Sequence, residues 1–98
     1  MAFRIEQKES EGKGMFFVEQ DKEIVGHLTY SLMDNGIMTI DHTEVAPRMN
    51  GKGLASSLVR HSVEFAKKNS YKVDPMCSYA AKQFERYGEY REIQVNQL

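Results

Sequence analysis

Apolar and polar residues alternate through the first half of the chain. Phe3 and Ile5 stand between polar neighbours, which predicts a short first strand. MFFVEQ at 15–20 is aromatic and β-branched and predicts a second. Between them, QKESEGKG at 7–14 reads as a strand end followed by a turn, and Asp21-Lys22 fits a tight turn. EIVGHLTYSL at 23–32 is a strand by alternation and by composition. MDNG at 33–36 holds Asn35-Gly36, the strongest short hairpin signal. IMTIDHTEVA at 37–46 is the returning strand, and Pro47 ends it because proline cannot donate to a ladder. Residues 1–46 therefore read as an antiparallel meander of four strands.

The period then changes from two to 3.6. Leu54, Ala55, Leu58, Val59, Ser62, Val63 and Ala66 fall on one side of a helix, and Lys52, Ser56, Arg60, Glu64 and Lys67 on the other. Lys67 and Lys68 suit the negative end of its dipole, and Asn69-Ser70 closes it. YKVDP at 71–75 is a short strand stopped by Pro75. A strand, a helix and a strand over 37–75 imply one right-handed βαβ unit. SYAAKQFERYG at 78–88 reads as a second helix stopped by Gly88, and EYREIQVNQL as a short strand or a frayed end. The fold class is α/β (α+β): a mixed sheet with a four-strand meander, a βαβ unit and a short C-terminal helix.

Composition narrows the function. The chain has 98 residues, 41% hydrophobic and 28% charged, as expected of one globular domain over 1–98. A net charge of -1 gives no global pull toward nucleic acid. One cysteine, Cys77, leaves a monomer without an internal disulfide. The polar opening MAFRIEQKES lacks a signal core, and no apolar run reaches the length of a membrane span. Together these lead to the expectation of a cytoplasmic protein without nucleic-acid or membrane partners. A small open sheet has edges to protect, so a monomer and a homodimer are both compatible with it.

The chemistry concentrates in PRMNGKGLASSL at 47–58. A strand, a glycine turn and a helix start gather backbone N–H groups that lack intrahelical partners, and the helix dipole adds positive charge there. Phosphate is their natural guest. Arg48 and Lys52 add local charge, while Gly51 and Gly53 admit positive φ and close approach. A Walker loop is excluded, because Ala46 stands where its first glycine should be and Gly53 where Ser or Thr should follow Lys52. A Rossmann fingerprint is excluded as well: only G-x-G is present, and an antiparallel meander precedes it. A purely structural turn remains the alternative.

VAPRMNGKGLASSLV resembles the acetyl-CoA-binding motif of the GNAT superfamily of N-acetyltransferases, an apolar strand end, then [Q/R]-x-x-G-x-[G/A], then an apolar helix. Arg48, Gly51 and Gly53 fit the fixed positions and Val45 the strand end. The order of elements over about 23–90 matches too. The resemblance implies acetyl-CoA as co-substrate and no metal. It implies that the backbone of Arg48, Met49, Asn50, Gly51, Lys52, Gly53, Leu54 and Ala55 binds the pyrophosphate, and that the strand at Glu44-Val45 pairs with the pantetheine arm. The chain departs from typical members in two places: 7–14 is too short for helices between the first two strands, and the tail cannot supply two more strands. It is similar to the small, reduced members with a P-x-C-x-[YF] segment, here Pro75-Met76-Cys77-Ser78-Tyr79.

Acetyl transfer to an amine needs a base, a stabilised oxyanion and a proton for the leaving thiolate. A two-residue Asn35-Gly36 loop would pair His27 with Glu44, Thr29 with His42 and Tyr30 with Asp41. His27, His42 and Glu44 would then share one sheet face, as a general-base cluster or simply as a wet polar face. Zinc is a third use, but the spacing fits no standard metal motif. Glu44 is the first candidate for the base because it adjoins the pantetheine position. The family's acid tyrosine aligns with Phe84, which cannot donate, so Tyr79 and Tyr87 are the alternatives or else pack in the core. Cys77 lies near a helix start, where a thiol gains reactivity, and it can accept the acetyl group or serve as a small core residue. Met49 is expected to pack beside the loop and His61 to lie at the surface. The acceptor is a small-molecule or protein amine. The competing functions are a non-catalytic acyl-CoA-binding regulatory module and a plain interaction domain.

Overall fold

The computed structural model describes residues 3–95. Five strands form one sheet in the order β1-β2-β3-β4-β5. These are β1 (Glu6–Ser10), β2 (Lys13–Gln20), β3 (Glu23–Leu32), β4 (Ile37–Val45) and β5 (Lys72–Pro75). The first four pair antiparallel, and β5 pairs parallel to β4. Between β4 and β5 the chain makes a 3-10 turn at Pro47–Met49 and then the helix α1 (Leu54–Lys68). Helices α2 (Ser78–Arg86) and α3 (Gly88–Arg91) follow. The meander and the βαβ unit are both as expected.

Three boundaries differ. The first strand begins at Glu6, beyond Phe3 and Ile5, which pack against the core edge instead. Gly88 does not end the second helix but opens α3, because the chain already leaves helical geometry at Tyr87 (φ -109°, ψ 106°). Among the described residues the tail adds a parallel bridge, Val73 to Gln94, on the side of β5 away from β4. The tail's last residues, 96–98, lie outside the described part.

One face of the sheet is covered by α1 and α2. Leu28, Tyr30, Met38 and Ile40 from the strands meet Leu54, Leu58, Val59, Val63 and Ala66 of α1 and Ala80 and Phe84 of α2. The helix therefore buries the face its apolar spacing marked out. Gly26 lets α1 come close: a Cβ there would stand 2.6 Å from Leu54 Cδ2. Among the described residues no helix covers the opposite face, which carries His27, Thr29, His42 and Glu44. Phe17, on that face, is shielded partly by Lys8, whose Nζ lies 5.2 Å from the ring centroid.

The β3–β4 hairpin corrects the expected pairing. Met33 N–H bonds Ile37 O (2.9 Å) and Gly36 N–H bonds Met33 O (3.2 Å), so the loop has three residues, Asp34 to Gly36. Gly36 takes φ 81°, the left-handed position that closes such a loop. Tyr30 consequently pairs with Ile40, not Asp41. A bulge between Thr29 and Tyr30 then absorbs Asp41 as an extra residue, and its carboxylate accepts a hydrogen bond from Ser31 Oγ at 2.9 Å. Past the bulge the pairs are the expected ones, Thr29 with His42 and His27 with Glu44.

Candidate active site

Beyond the bulge β4 keeps β3 on one side but loses β5 on the other. The parallel pairing ends at Ile40 and Pro75, and the N–H groups of Met76 and Cys77 both turn to Ile40 O at 3.1 Å. A gap thus opens between β4 and the start of α2, and the backbone of 42–45 faces it without a strand partner.

The glycine loop closes one end of that gap. Gly51 and Gly53 both sit at positive φ, 80° and 78°. Gly53 is the N-cap of α1, and no side chain caps the helix. The first intrahelical bond runs from Ser57 N–H to Gly53 O at 3.0 Å. The amides of Leu54, Ala55 and Ser56 therefore stand ahead of the ladder at the positive end of the dipole. Met49 is buried beneath the loop, as expected.

A cavity of about 230 Å³ joins these parts. Val45, Met49, Asn50, Gly51, Gly53, Leu54 and Ala55 line it, and so does Tyr79 from α2. Eight of the residues singled out in the sequence are thus gathered around one space. Ser56, which the sequence did not single out, is a further wall; its hydroxyl donates to Gly53 O at 3.1 Å and neighbours the Tyr79 phenol. Burial raises the Tyr79 pKa above the ordinary range, against the Ser56 hydrogen bond, so the phenol holds its proton.

Arg48 and Lys52 stand outside this cavity. The Arg48 guanidinium donates to Glu23 Oε1 at 3.3 Å, and both side chains are exposed. Such a pair is worth under about 1 kcal/mol, so exchanging Glu23 for a phosphate costs little. Lys52 lines a larger neighbouring cavity of about 530 Å³, which shares the walls Gly53 and Ser56.

Cys77 is the N-cap of α2. Burial pushes its pKa up, but the amides of Ala80 and Tyr79 and the hydroxyl and amide of Thr43 outweigh burial and leave the thiol below its ordinary value. Among the described residues the buried Thr43 Oγ1 has no well-aligned hydrogen-bond partner, which leaves it to favour the thiolate. No spacing rule pointed to Thr43, because its approach to Cys77 depends on the opened gap.

His42 and Glu44 face away from the cavity, on the uncovered side of the sheet. Glu44 is 79% exposed, and its Oε1 lies 3.9 Å from His27 Nε2. Among the described residues no group of three or more His, Cys, Asp or Glu is arranged to hold a metal. Phe84 is fully buried in the core. His61, expected at the surface, is half-buried, its ring edge-on to Phe16 at 4.8 Å.

These features were compared with known proteins. No curated protein sequence matches the chain. Among solved structures, a GCN5-like protein from Staphylococcus aureus aligns over 95% of this chain and 90% of its own, with 29% identity and a TM-score of 0.71. IAA acetyltransferase from Bacillus cereus shares 25% identity over 65% of this chain, with a TM-score of 0.57; the alignment spans 43% of that longer protein. Ribosomal-protein-alanine N-acetyltransferase from Brucella melitensis shares the fold at 18% identity, over 91% of this chain and 66% of its own, with a TM-score of 0.66. The sequence profile of the GCN5-related N-acetyltransferases matches residues 15–93, and with most of its length so covered the chain belongs to that family.

Proposed function

We propose that this enzyme transfers an acetyl group from acetyl-CoA to a small-molecule or protein amine, by way of Cys77. The observation that carries the proposal is the meeting of the glycine loop, the α1 N-terminus, Tyr79 and the unpaired edge of β4 around one cavity. The amides from Arg48 to Ala55 bind the pyrophosphate, and Arg48 and Lys52 add charge. The free edge of Glu44-Val45 takes the pantetheine amides as an added strand would. That course brings the thioester to Cys77.

The Cys77 thiolate, favoured by the amides of Tyr79 and Ala80 and by the Thr43 hydroxyl, attacks the thioester carbonyl carbon, whose electron pair moves to oxygen. The bond from that carbon to the CoA sulfur breaks, and the sulfur takes a proton from Tyr79, the role that the buried Phe84 cannot fill. An amine then attacks the acetyl carbon on Cys77. It loses its proton through water to Glu44, which stands with His42 on the open face of the sheet. The Cys77 sulfur leaves as thiolate and the acetyl amide is released.

The exposure of Glu44 favours a second route, in which the amine attacks the thioester directly and Cys77 only lines the site. Incubation with acetyl-CoA followed by intact-mass measurement separates the two. One added acetyl group, absent in Cys77→Ser, together with loss of turnover on an amine panel, supports the covalent route. Turnover retained in Cys77→Ser would refute it. No binding of acetyl-CoA by calorimetry at millimolar ligand would refute the whole proposal.

A further inference from the structure

Ser56 stands in the first turn of α1, and two acceptors compete for the proton of its hydroxyl. The hydroxyl donates to Gly53 O at 3.1 Å. It also meets the Tyr79 phenol, and both residues line the smaller cavity. A hydroxyl has one proton to give and two lone pairs that accept. While Tyr79 keeps its proton, the phenol donates to Ser56 Oγ and Ser56 donates to Gly53 O, so every proton in the chain has a place.

That order changes when the phenol gives its proton away. A phenolate only accepts, and the Ser56 hydroxyl is placed to donate to it. Gly53 O can release Ser56 without being orphaned, because it also accepts Ser57 N–H at 3.0 Å. The exchange therefore needs one rotation of a hydroxyl and breaks no backbone bond. Tyr87 lines the larger cavity, and its ring packs on Tyr90 with 5.2 Å between centroids.

Resting on the acyl transfer proposed above, we infer that Ser56 is the positioning residue of the acid: it holds the Tyr79 hydroxyl at the cavity and turns its own proton from Gly53 O to the phenolate as the CoA sulfur is protonated. The protons balance. The Tyr79 O–H bond breaks and its proton goes to the sulfur, while the Ser56 O–H bond stays intact and only rotates. The phenolate regains a proton from water after CoA leaves. Burial holds the phenol pKa up, and the Ser56 bond to the charged form opposes burial, so the phenol releases its proton more readily.

The test uses the full chain and acetyl-CoA alone, without an acceptor. Rapid quench and intact-mass measurement read the rate at which Cys77 is acetylated. Ultraviolet titration of tyrosinate, less that of Tyr79→Phe, reads the Tyr79 midpoint. Ser56→Ala is expected to slow acetylation at saturating acetyl-CoA about tenfold, the worth of one hydrogen bond to a charged group, with half-saturation unchanged. The Tyr79 midpoint is expected to move up in pH. Ser56→Thr keeps the hydroxyl and is expected to restore both. In a Tyr79→Phe background, Ser56→Ala is expected to add no further loss. An unmoved midpoint, or a loss that persists in the Tyr79→Phe background, would overturn the role of Ser56 and leave the acyl transfer standing. Acetylation at the wild-type rate in Tyr79→Phe, or no acetylation of the wild type, would refute the proposed acid or the covalent route itself, and this inference with it.

Discussion

The ring of Tyr30 lies across Gly14 on the neighbouring strand: a Cβ at residue 14 would stand 2.2 Å from Tyr30 Cζ. The tyrosine reaches over the glycine to the edge strand, where its hydroxyl donates to Glu9 Oε1 at 2.6 Å and accepts from Gln7 Nε2 at 2.7 Å. Burial, with the Glu9 bond, pushes its pKa up to about 12. Gly14→Ala should therefore cost about 1–3 kcal/mol by overpacking. The same change in a Tyr30→Leu background should cost much less, a coupling that a double-mutant cycle of urea melts would read. Additive losses would show that the ring does not need the space.

The Cys77 thiol should ionise below the ordinary thiol range. The pH dependence of its alkylation by iodoacetamide measures this directly. Thr43→Val keeps the shape of the side chain and removes the hydroxyl, so the midpoint should move up in pH. An unmoved midpoint would leave the backbone amides of Tyr79, Ala80 and Thr43 as the cause.

Gly51→Ala meets no atom within 4 Å, so only backbone strain opposes it. With φ at 80° that strain is about 1–2 kcal/mol, and the variant should stay folded. Gly53→Glu sets a carboxylate at the α1 N-terminus, where the dipole tolerates it but a pyrophosphate cannot share the place. Binding of acetyl-CoA should fall by at least about 100-fold, on the order of 3 kcal/mol. Affinity unchanged in calorimetry would refute the phosphate cradle.

His61 makes stability depend on pH. Burial lowers its folded pKa, with Glu64 opposing only in part. The unfolded chain then binds more protons between the folded value and the ordinary value near 6.5, so stability rises with pH across that window. Below the folded pKa the contribution is gone. Thermal melts from pH 7 to pH 5 should show the fall, and His61→Gln should flatten it.

Much of this molecule is written in local patterns. Alternation gave the meander, and the spacing of Leu54, Leu58 and Ala66 gave the buried face of α1, because burial on one side acts directly on the period. The strand-loop-helix order around Gly51 and Gly53 marked the loop that lines the cavity at the start of α1. The hairpin was half legible. Asn35-Gly36 marked the turn but not its length, since a third loop residue leaves no distinct signature. The Asp41 bulge is invisible locally, being set by how two distant stretches pair. Gln83 reads as an ordinary polar helix residue. Helix packing makes it a buried one.

The extra residue in β4 divides the strand's two tasks. Ile40 turns inward, and Asp41 and His42 both turn outward before Thr43 turns in again. Deleting Asp41 would keep every remaining side chain on its present face, so the hydrophobic core should survive. It would straighten the strand and let β4 run on beside the chain after Pro75. The protein would lose the opening beside Cys77 while keeping its sheet. A single peptide unit is what distinguishes a continuous wall from a doorway in this fold.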